Sequence, residues 1–194
     1  MTSGARALGP GPALRPVTSS PAEGTRLVSN EIESPPSSAI DPAAVVGHVH
    51  LKVADLQRSI RFYSDALGFE VTQRMGDDAA FLGAGGYHHH VGLNTWESSG
   101  GNPPPAGSTG LYHVAFRYPN RAALATAFRR LLESSIPLEG AADHGVSEAL
   151  YLRDPDRNGV ELYYDRPWQD WPRDSAGGLQ MFTRALDLED LLRA

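Results

Sequence analysis

The chain has 194 residues, a net charge of −6 and no cysteine. The length suits one ordinary domain with tails. The acidic balance argues against nucleic acid as a partner, and the lack of cysteine excludes disulfides, thiolate metal sites and thiol nucleophiles. The apolar runs are too short to span a membrane and no secretory signal is evident, so we expect a cytoplasmic protein.

The two ends of the chain differ in composition from its middle. Residues 1–39 are rich in Gly, Pro, Ser and Ala and show no hydrophobic period. Such a segment cannot bury enough apolar surface to offset its ordering entropy, so we predict a disordered tail, with a docking peptide as the alternative. We expect the folded domain over residues 40–167 and a surface extension over 168–194, with a short helical pattern at 187–192.

The stretch from Gly47 to Asp55 alternates between apolar and polar residues. In an extended strand this alternation places His48 and His50 on the same face, opposite the apolar one. Asp55 then stands where an N-cap would, at the start of a helical pattern that ends at Gly68.

A second stretch repeats this order. His113 and Asn120 are separated by the same number of residues as the first histidine and the capping aspartate. We therefore predict an α+β fold of two βαβββ repeats, over 45–96 and 111–166, joined by a Pro- and Gly-rich linker at 97–110. The other predicted strands are Phe69–Met75, Ala79–Leu82, Tyr87–Trp96, Ile136–Leu138, Ala149–Arg153 and Val160–Asp165.

The polar faces of these strands carry the candidate chemistry. Alternation around Val91 and Leu93 would place His88 and His90 on the polar face, so we favour His90 over His89 as a site residue. Glu161 lies on the polar face of the last strand. One strand histidine is more often an ordinary surface or core residue, but imidazoles and a carboxylate from separate repeated strands predict a metal site.

The order of these motifs resembles the vicinal oxygen chelate superfamily, which includes glyoxalase I, extradiol dioxygenases and bleomycin-resistance proteins. The resemblance implies a curved mixed sheet around a metal-binding cavity. The chain is most similar to extradiol dioxygenases of the catechol 2,3-dioxygenase type, although Arg157 stands where that family usually has Gly or Pro. The matching residues are His48–Leu56, Phe62–Tyr63, Leu67–Phe69, His144, Leu150–Tyr151, Asp154–Asp156 and Glu161.

The resemblance implies a metal site with two histidines and one carboxylate. Its ligands would be His48, His113 and Glu161, which we expect to converge at ligand distance on Fe(II), or less often Mn(II). The substrates would be O2 and an aromatic diol, as in aromatic compound catabolism, and the superfamily suggests a homodimer.

We also predict roles for other polar residues around that site. His90, His144 and Tyr151 are the candidates for catalysis, by proton transfer and by hydrogen bonding to a substrate oxygen. The residues expected to line the substrate pocket are His50, Asn94 and Arg117.

Two other functions fit the same fold. A glyoxalase-I-like isomerase or lyase would use a fourth protein ligand, with His90 at roughly that place, and Zn(II), Ni(II) or Co(II). A metal-free protein that binds a small molecule, such as an antibiotic, is the second alternative. The sequence also leaves open whether the two repeats pair within one chain or swap between subunits.

Overall fold

The structure, a computed structural model, describes residues 40–194. The predicted N-terminal tail therefore lies outside the described residues. The compact unit described below comprises Val45–Ala194. Among the described residues, none of the helices combines the length and the apolar character needed to cross a lipid bilayer.

Strands and helices follow each other in the predicted order. The strands are β1 Val49–Lys52, β2 Glu70–Met75, β3 Ala79–Gly83, β4 Val91–Asn94, β5 Val114–Tyr118, β6 Gly140–Asp143, β7 Ser147–Arg153, β8 Gly159–Asp165 and β9 Arg184–Ala185. The α-helices are α1 Leu56–Arg61, α2 Arg121–Glu133 and α3 Leu188–Leu192. The segment from residue 97 to 110 contains neither helix nor strand, as expected for a linker.

The two sheets have the same topology, which confirms the predicted repeat and the α+β class. The first sheet has the order β1-β4-β3-β2, and the second has the order β5-β8-β7-β6-β9. In each repeat the first strand runs parallel to the last, and the remaining neighbours are antiparallel. The first strand of each repeat, β1 or β5, consequently forms a sheet edge.

Both predicted helix caps are present. A side-chain oxygen of Asp55 accepts a hydrogen bond from the Arg58 backbone N–H at 2.9 Å, and Asn120 caps α2 in the same way. These bonds satisfy N–H groups that have no partner inside the helix. After α1 the chain continues in a π-helical turn, Phe62–Ala66, and leaves it at Gly68 with a φ of +85°, a conformation that favours glycine.

Two predicted strands were misplaced, and one strand was not predicted. Strand β4 begins only at Val91, so the histidines before it lie in a bend and do not alternate. All four residues of β4 are buried, so polarity does not distinguish its two faces. Ile136 is not in a strand, since its N–H bonds to the Leu131 carbonyl at the end of α2. The two-residue strand β9 was not predicted.

The turn between β7 and β8 joins the two repeats. Asp156 in this turn is buried and accepts hydrogen bonds from Arg58 at 2.6 Å, from the Ala54 N–H at 3.1 Å and from the Ser59 hydroxyl at 3.3 Å. Three donors of the first repeat are thus satisfied by one carboxylate of the second. A buried carboxylate needs such partners because removing the charge from water is costly.

Asp154 has a similar role in the same turn. The Tyr63 hydroxyl donates a hydrogen bond to Asp154 Oδ2 at 3.1 Å, and Asn158 donates to the carboxylate from both its backbone and its side chain. Burial raises the pKa of Asp154, and these donors partly offset that rise. The turn is therefore bound to itself and to the first repeat.

Replacing Asp156 should weaken the contact between the repeats. Asp156→Ala leaves buried donors of Ala54 and Ser59 without an acceptor, so we expect the free energy of unfolding to fall by about 2–3 kcal/mol. Urea denaturation measures this loss. Asp77→Ala, which removes an exposed carboxylate, is the control and should change stability by less than about 0.5 kcal/mol. Equal effects of the two substitutions would contradict the prediction.

The buried phenol of Tyr63 predicts a pH dependence. Burial, together with Asp154, raises the pKa of Tyr63 well above its usual value. The neutral phenol is favoured in the folded protein, so its stabilising contribution is complete below about pH 10 and is lost as the pH rises further. Compared with Tyr63→Phe, the native chain should lose about 1.4 kcal/mol of unfolding free energy per pH unit above about 10. If the free energies of unfolding of the native chain and of Tyr63→Phe fall equally with pH above about 10, the prediction is wrong.

Candidate metal centre

His113 and Glu161 meet at the start of the second sheet. His113 directly precedes β5, and Glu161 lies in the neighbouring parallel strand β8. His113 Nε2 is 2.9 Å from Glu161 Oε2. Two donors bound side by side to one metal ion, with bonds of about 2.1 Å, lie about 3 Å apart, so this pair fits two neighbouring positions on a divalent ion.

Gly159 allows β5 to begin this close to β8. A Cβ atom at Gly159 would collide with the Tyr112 carbonyl oxygen and would lie 2.8 Å from the His113 Cβ. A larger residue would therefore push the start of β5 away from β8. The close approach of the two strands holds His113 beside Glu161.

A hydrogen-bonded chain extends from Glu161 into the third strand of the repeat. The Tyr151 hydroxyl lies 3.1 Å from Glu161 Oε1 and 2.7 Å from His144 Nε2. The other ring nitrogen of His144, Nδ1, lies 3.1 Å from the Phe182 carbonyl oxygen. Four residues predicted for the site, His113, His144, Tyr151 and Glu161, are thus in one array.

The partners of His144 determine where its proton lies. The Phe182 carbonyl can only accept, which assigns a hydrogen to Nδ1 of His144. In the neutral ring, Nε2 can then accept a hydrogen bond from the Tyr151 hydroxyl. Burial, followed by the nearby charge and hydrogen bond of Glu161, raises the pKa of Tyr151 to about 12. At neutral pH the phenol therefore keeps its single proton, which has two acceptors within reach.

The contribution of the C-terminal extension to this array was not predicted from the sequence. Strand β9 pairs with β6 and brings the Phe182 carbonyl and the Thr183 hydroxyl to Nδ1 of His144, the latter at 3.2 Å. No motif marks these residues. The only available signal was the apolar and aromatic content of the extension, which indicates packing against the domain.

A cleft of about 400 Å³ opens beside this array. His113, His144 and Tyr151 line it, together with Tyr112 and Thr183. Its volume is in the range of clefts that bind small molecules. The cleft therefore exposes a candidate metal ligand and a candidate proton-transfer chain to the same bound molecule.

His48 lies in a different group of side chains. Its ring centroid is 4.5 Å from that of His89, which in turn is 5.0 Å from Phe81. The prediction favoured His90, but His89 is the residue beside His48. His90 instead packs against the rings of Phe69 and Tyr87, and its Nδ1 is buried without a hydrogen-bond partner. The reason is the bend before β4, which replaces the expected alternation.

The structure therefore brings together only part of the predicted ligand set. Between residues 40 and 194, no three His, Asp or Glu side chains lie close enough to one another to hold a metal ion. His113 and Glu161 are adjacent, whereas His48 is not among their contacts. The three-residue ligand set stays a prediction.

The three predicted pocket residues do not line the cleft beside His113. His50 packs between the rings of Phe81 and Trp96, and its pKa is lowered by burial and, secondarily, by the neighbouring His48. Asn94 is buried, and its Oδ1 accepts from the Trp96 N–H at 3.3 Å. Arg117 is exposed and pairs with a strand neighbour, Asp165, at 3.2 Å.

Comparison with known proteins assigns the family. Residues 45–162 match the model of the Glyoxalase/Bleomycin resistance protein/Dioxygenase superfamily. The chain belongs to this superfamily, and the predicted resemblance is confirmed. The match covers both repeats and ends within β8, before the C-terminal extension.

Two curated relatives are dioxygenases by name. The chain is 43% identical over 152 residues to catechol-2,3-dioxygenase of Bacillus subtilis, a match that covers 76% of this chain and 50% of that protein. It is 34% identical over 121 residues to biphenyl-2,3-diol 1,2-dioxygenase 3 of Rhodococcus globerulus, covering 62% and 63% of the two chains. The chain thus spans about half to two thirds of the length of these relatives.

A solved structure supports the fold. A glyoxalase/dioxygenase from Nostoc punctiforme superposes with a TM-score of 0.55 at 21% identity, covering 67% of this chain and 98% of that one. At this level of identity the likeness concerns the fold alone.

A substitution at Gly159 tests the link between strand packing and the site. Gly159→Ala should separate β5 from β8, lower the free energy of unfolding by about 2–3 kcal/mol and weaken Mn(II) binding at His113 and Glu161 at least tenfold. Gly140→Ala is the matched control, because a Cβ there meets no atom within 4 Å. Thermal unfolding and Mn(II) titration measure both effects. Retention of native metal affinity in Gly159→Ala would show that this packing does not position the ligands.

Proposed function

We propose that the protein is an extradiol dioxygenase that cleaves a catechol-like aromatic diol with O2, using Fe(II) or Mn(II). The observation that carries this proposal is the array of His113, Glu161, Tyr151 and His144 at the edge of a small-molecule cleft. The identity of 43% to a catechol-2,3-dioxygenase supports the same reaction class.

The donor types support a divalent metal of intermediate hardness. His113 and Glu161 would hold the ion, and His48 would complete the set of two imidazoles and one carboxylate. Imidazole and carboxylate together suit Fe(II) and Mn(II). When bound, such an ion with open positions supplies one place at which the two diol oxygens and O2 can meet.

The remaining residues of the array position the diol and move its proton. The neutral phenol of Tyr151 can donate a hydrogen bond to a substrate oxygen, because its raised pKa keeps it protonated. Nε2 of His144 accepts the proton that the diol releases, directly or through the phenol. The Phe182 carbonyl keeps Nδ1 of His144 protonated and so directs the basic nitrogen at the cleft.

This proposal assigns proton transfer to His144 and not to His90. The His90 ring contacts Phe69 and Tyr87 and does not line the cleft beside His113. The glyoxalase-I-like alternative requires a fourth protein ligand beside Glu161. The contacts of His90 do not support it in that role. The measurements below distinguish the dioxygenase from the isomerase or lyase and from the metal-free binding protein.

Ligand and proton-transfer variants should lose different functions. In protein purified without oxygen and loaded with Fe(II), we expect catechol-dependent O2 uptake. His113→Ala and Glu161→Gln should lose both the metal and the O2 uptake. Tyr151→Phe should retain the metal while its kcat falls by about 10²-fold or more, because only an acid–base and hydrogen-bonding group is removed.

Glu70→Gln, an exposed strand glutamate on β2, is the matched control for Glu161→Gln and should keep the metal and the activity. Metal analysis and oxygen-electrode assays provide the readouts. A native chain that binds no transition metal would favour the metal-free binding protein. Bound metal without O2 uptake for any catechol would favour the isomerase or lyase.

A further inference from the structure

We infer that Thr183, in the C-terminal extension, is the outer end of a proton relay that connects His144 with solvent. This inference rests on the proposed function, which takes the diol as the source of the proton. It starts from the two ring nitrogens of His144. Nε2 lies 2.7 Å from the Tyr151 hydroxyl, whereas Nδ1 lies 3.1 Å from the Phe182 carbonyl oxygen and 3.2 Å from the Thr183 hydroxyl.

The two partners of Nδ1 differ in what they can do with a proton. The Phe182 carbonyl accepts a hydrogen bond but has no hydrogen of its own to pass on. The Thr183 hydroxyl has both lone pairs and a hydrogen, so it can take up one proton and release another. Among the residues that the structure describes, these are the only hydrogen-bond partners of Nδ1. A proton that leaves His144 at Nδ1 therefore passes to Thr183.

The hydrogen of the Thr183 hydroxyl is available for this transfer. Because Nδ1 of His144 carries a hydrogen in the resting protein, the Thr183 oxygen accepts from it and its own hydrogen points elsewhere. No acceptor for that hydrogen lies between residues 40 and 194. Thr183 is exposed and lines the cleft, so water can accept it.

The relay moves one proton from the diol to water. Nε2 of His144 takes a proton from a diol hydroxyl, Nδ1 gives its proton to the Thr183 oxygen, and the Thr183 hydroxyl gives its hydrogen to water. An O–H bond of the diol and the N–H bond at Nδ1 break, and an N–H bond at Nε2 and an O–H bond on water form. The diol is left as an anion, and Thr183 has one hydroxyl hydrogen before and after.

The same transfers in reverse reset the relay. Nε2 of His144 gives its proton to an oxygen of the product, and water returns a proton to Nδ1 through Thr183. This restores the form with a hydrogen on Nδ1, which the Phe182 carbonyl favours because it can only accept. A bound diol that covers Nε2 excludes water from that side, so the exchange with solvent needs the other nitrogen.

Strand pairing places Thr183 opposite His144. In the ladder of β6 and β9, Asp143 lies opposite Arg184, so the next residue on each segment faces the other at the end of the ladder. The Phe182 N–H also donates to the His144 carbonyl at 3.3 Å. Backbone contacts thus fix the Thr183 hydroxyl beside Nδ1.

The Phe182 ring packs against the turn that carries His144. A Cβ atom at Gly145 would lie 2.7 Å from the Phe182 ring and equally close to Pro172, so the extension and this turn are in close contact. The Arg184 guanidinium carbon lies 4.1 Å from the centre of the same ring. These contacts cover the turn next to His144, whereas the Thr183 side chain remains exposed.

Helix α3 anchors the extension beyond Thr183. Asp190 accepts a hydrogen bond from Arg121 at 2.8 Å, and the Leu192 carbonyl accepts one from Arg129 at 2.6 Å. Leu191, between them, is fully buried. The segment that carries Thr183 is therefore held between β6 and α2 and keeps its hydroxyl at His144.

Exchange of the Nδ1 proton of His144 with water tests the relay in the full chain, without added metal or substrate. Thr183→Val removes the hydroxyl and keeps a branched side chain. The relay predicts that exchange slows at least about threefold, because the group that carries the proton outward is gone. A hydroxyl that only shielded Nδ1 would give faster exchange when removed. NMR of ¹⁵N-labelled protein measures the rate, and His144→Gln assigns the signal.

Two further variants complete this test. Thr183→Ser keeps a hydroxyl and should exchange at close to the native rate. Thr126→Val is the matched control, because Thr126 is an exposed threonine of α2 whose hydroxyl donates to the Ala122 carbonyl. Unchanged or faster exchange in Thr183→Val, or equal slowing in Thr183→Val and Thr183→Ser, would overturn the relay.

Steady-state kinetics of the Fe(II)-loaded protein test whether the relay serves the reaction. With catechol as the substrate, Thr183→Val should lower kcat about tenfold, leave KM near its native value and raise the ratio of kcat in H2O to kcat in D2O. Its metal content should be native, because Thr183 is not a proposed ligand. A native kcat in Thr183→Val would overturn the role of the relay in the reaction.

Failure of the relay and failure of the proposed function give different results. Slower exchange in Thr183→Val, with no catechol-dependent O2 uptake by the native chain, supports the connection of His144 with solvent and overturns the proposed reaction. Native exchange in Thr183→Val, with O2 uptake by the native chain, overturns the relay and leaves the proposed reaction intact.

Discussion

Two buried carboxylates, Asp154 and Asp156, hold the two repeats of this protein in their relative orientation. They are satisfied by donors from their own turn and from residues 54–63 of the first repeat, so neither carboxylate is left without partners in the interior. The turn that contains them leads directly into β8, the strand that carries Glu161. The same contacts therefore stabilise the domain and place the carboxylate of the candidate site.

Most of the fold was predictable because the sequence patterns that mark its strands and helices are local. Alternation of period two and the capping residues Asp55 and Asn120 identified the strands and helices of both repeats. The prediction failed where a partner distant in sequence decides the structure. The buried strand β4 shows no polar face, and β9 exists only because β6 offers it an edge. Neither the burial of β4 nor the pairing of β9 with β6 produces a periodic pattern in the sequence.

The candidate site was predictable in part, for a related reason. The resemblance to the superfamily placed His113 and Glu161 in one ligand set, and the two residues are neighbours because β5 and β8 are adjacent and parallel. The orientation of one sheet relative to the other depends on side-chain contacts of the β7–β8 turn, and no periodicity reports it. The position of His48 could therefore not be read from the sequence. The alternation that favoured His90 over His89 does not apply, because this run lies in a bend before β4.

The orientation of His144 depends on a segment that lies beyond the stretch matched by the superfamily model. The match to the superfamily ends at residue 162, whereas the carbonyl that fixes Nδ1 of His144 belongs to Phe182. The proposed metal ligands and the orientation of the proposed proton acceptor thus depend on separate parts of the chain. A substitution in the extension can therefore alter how His144 is held without touching the strands that carry His113 and Glu161.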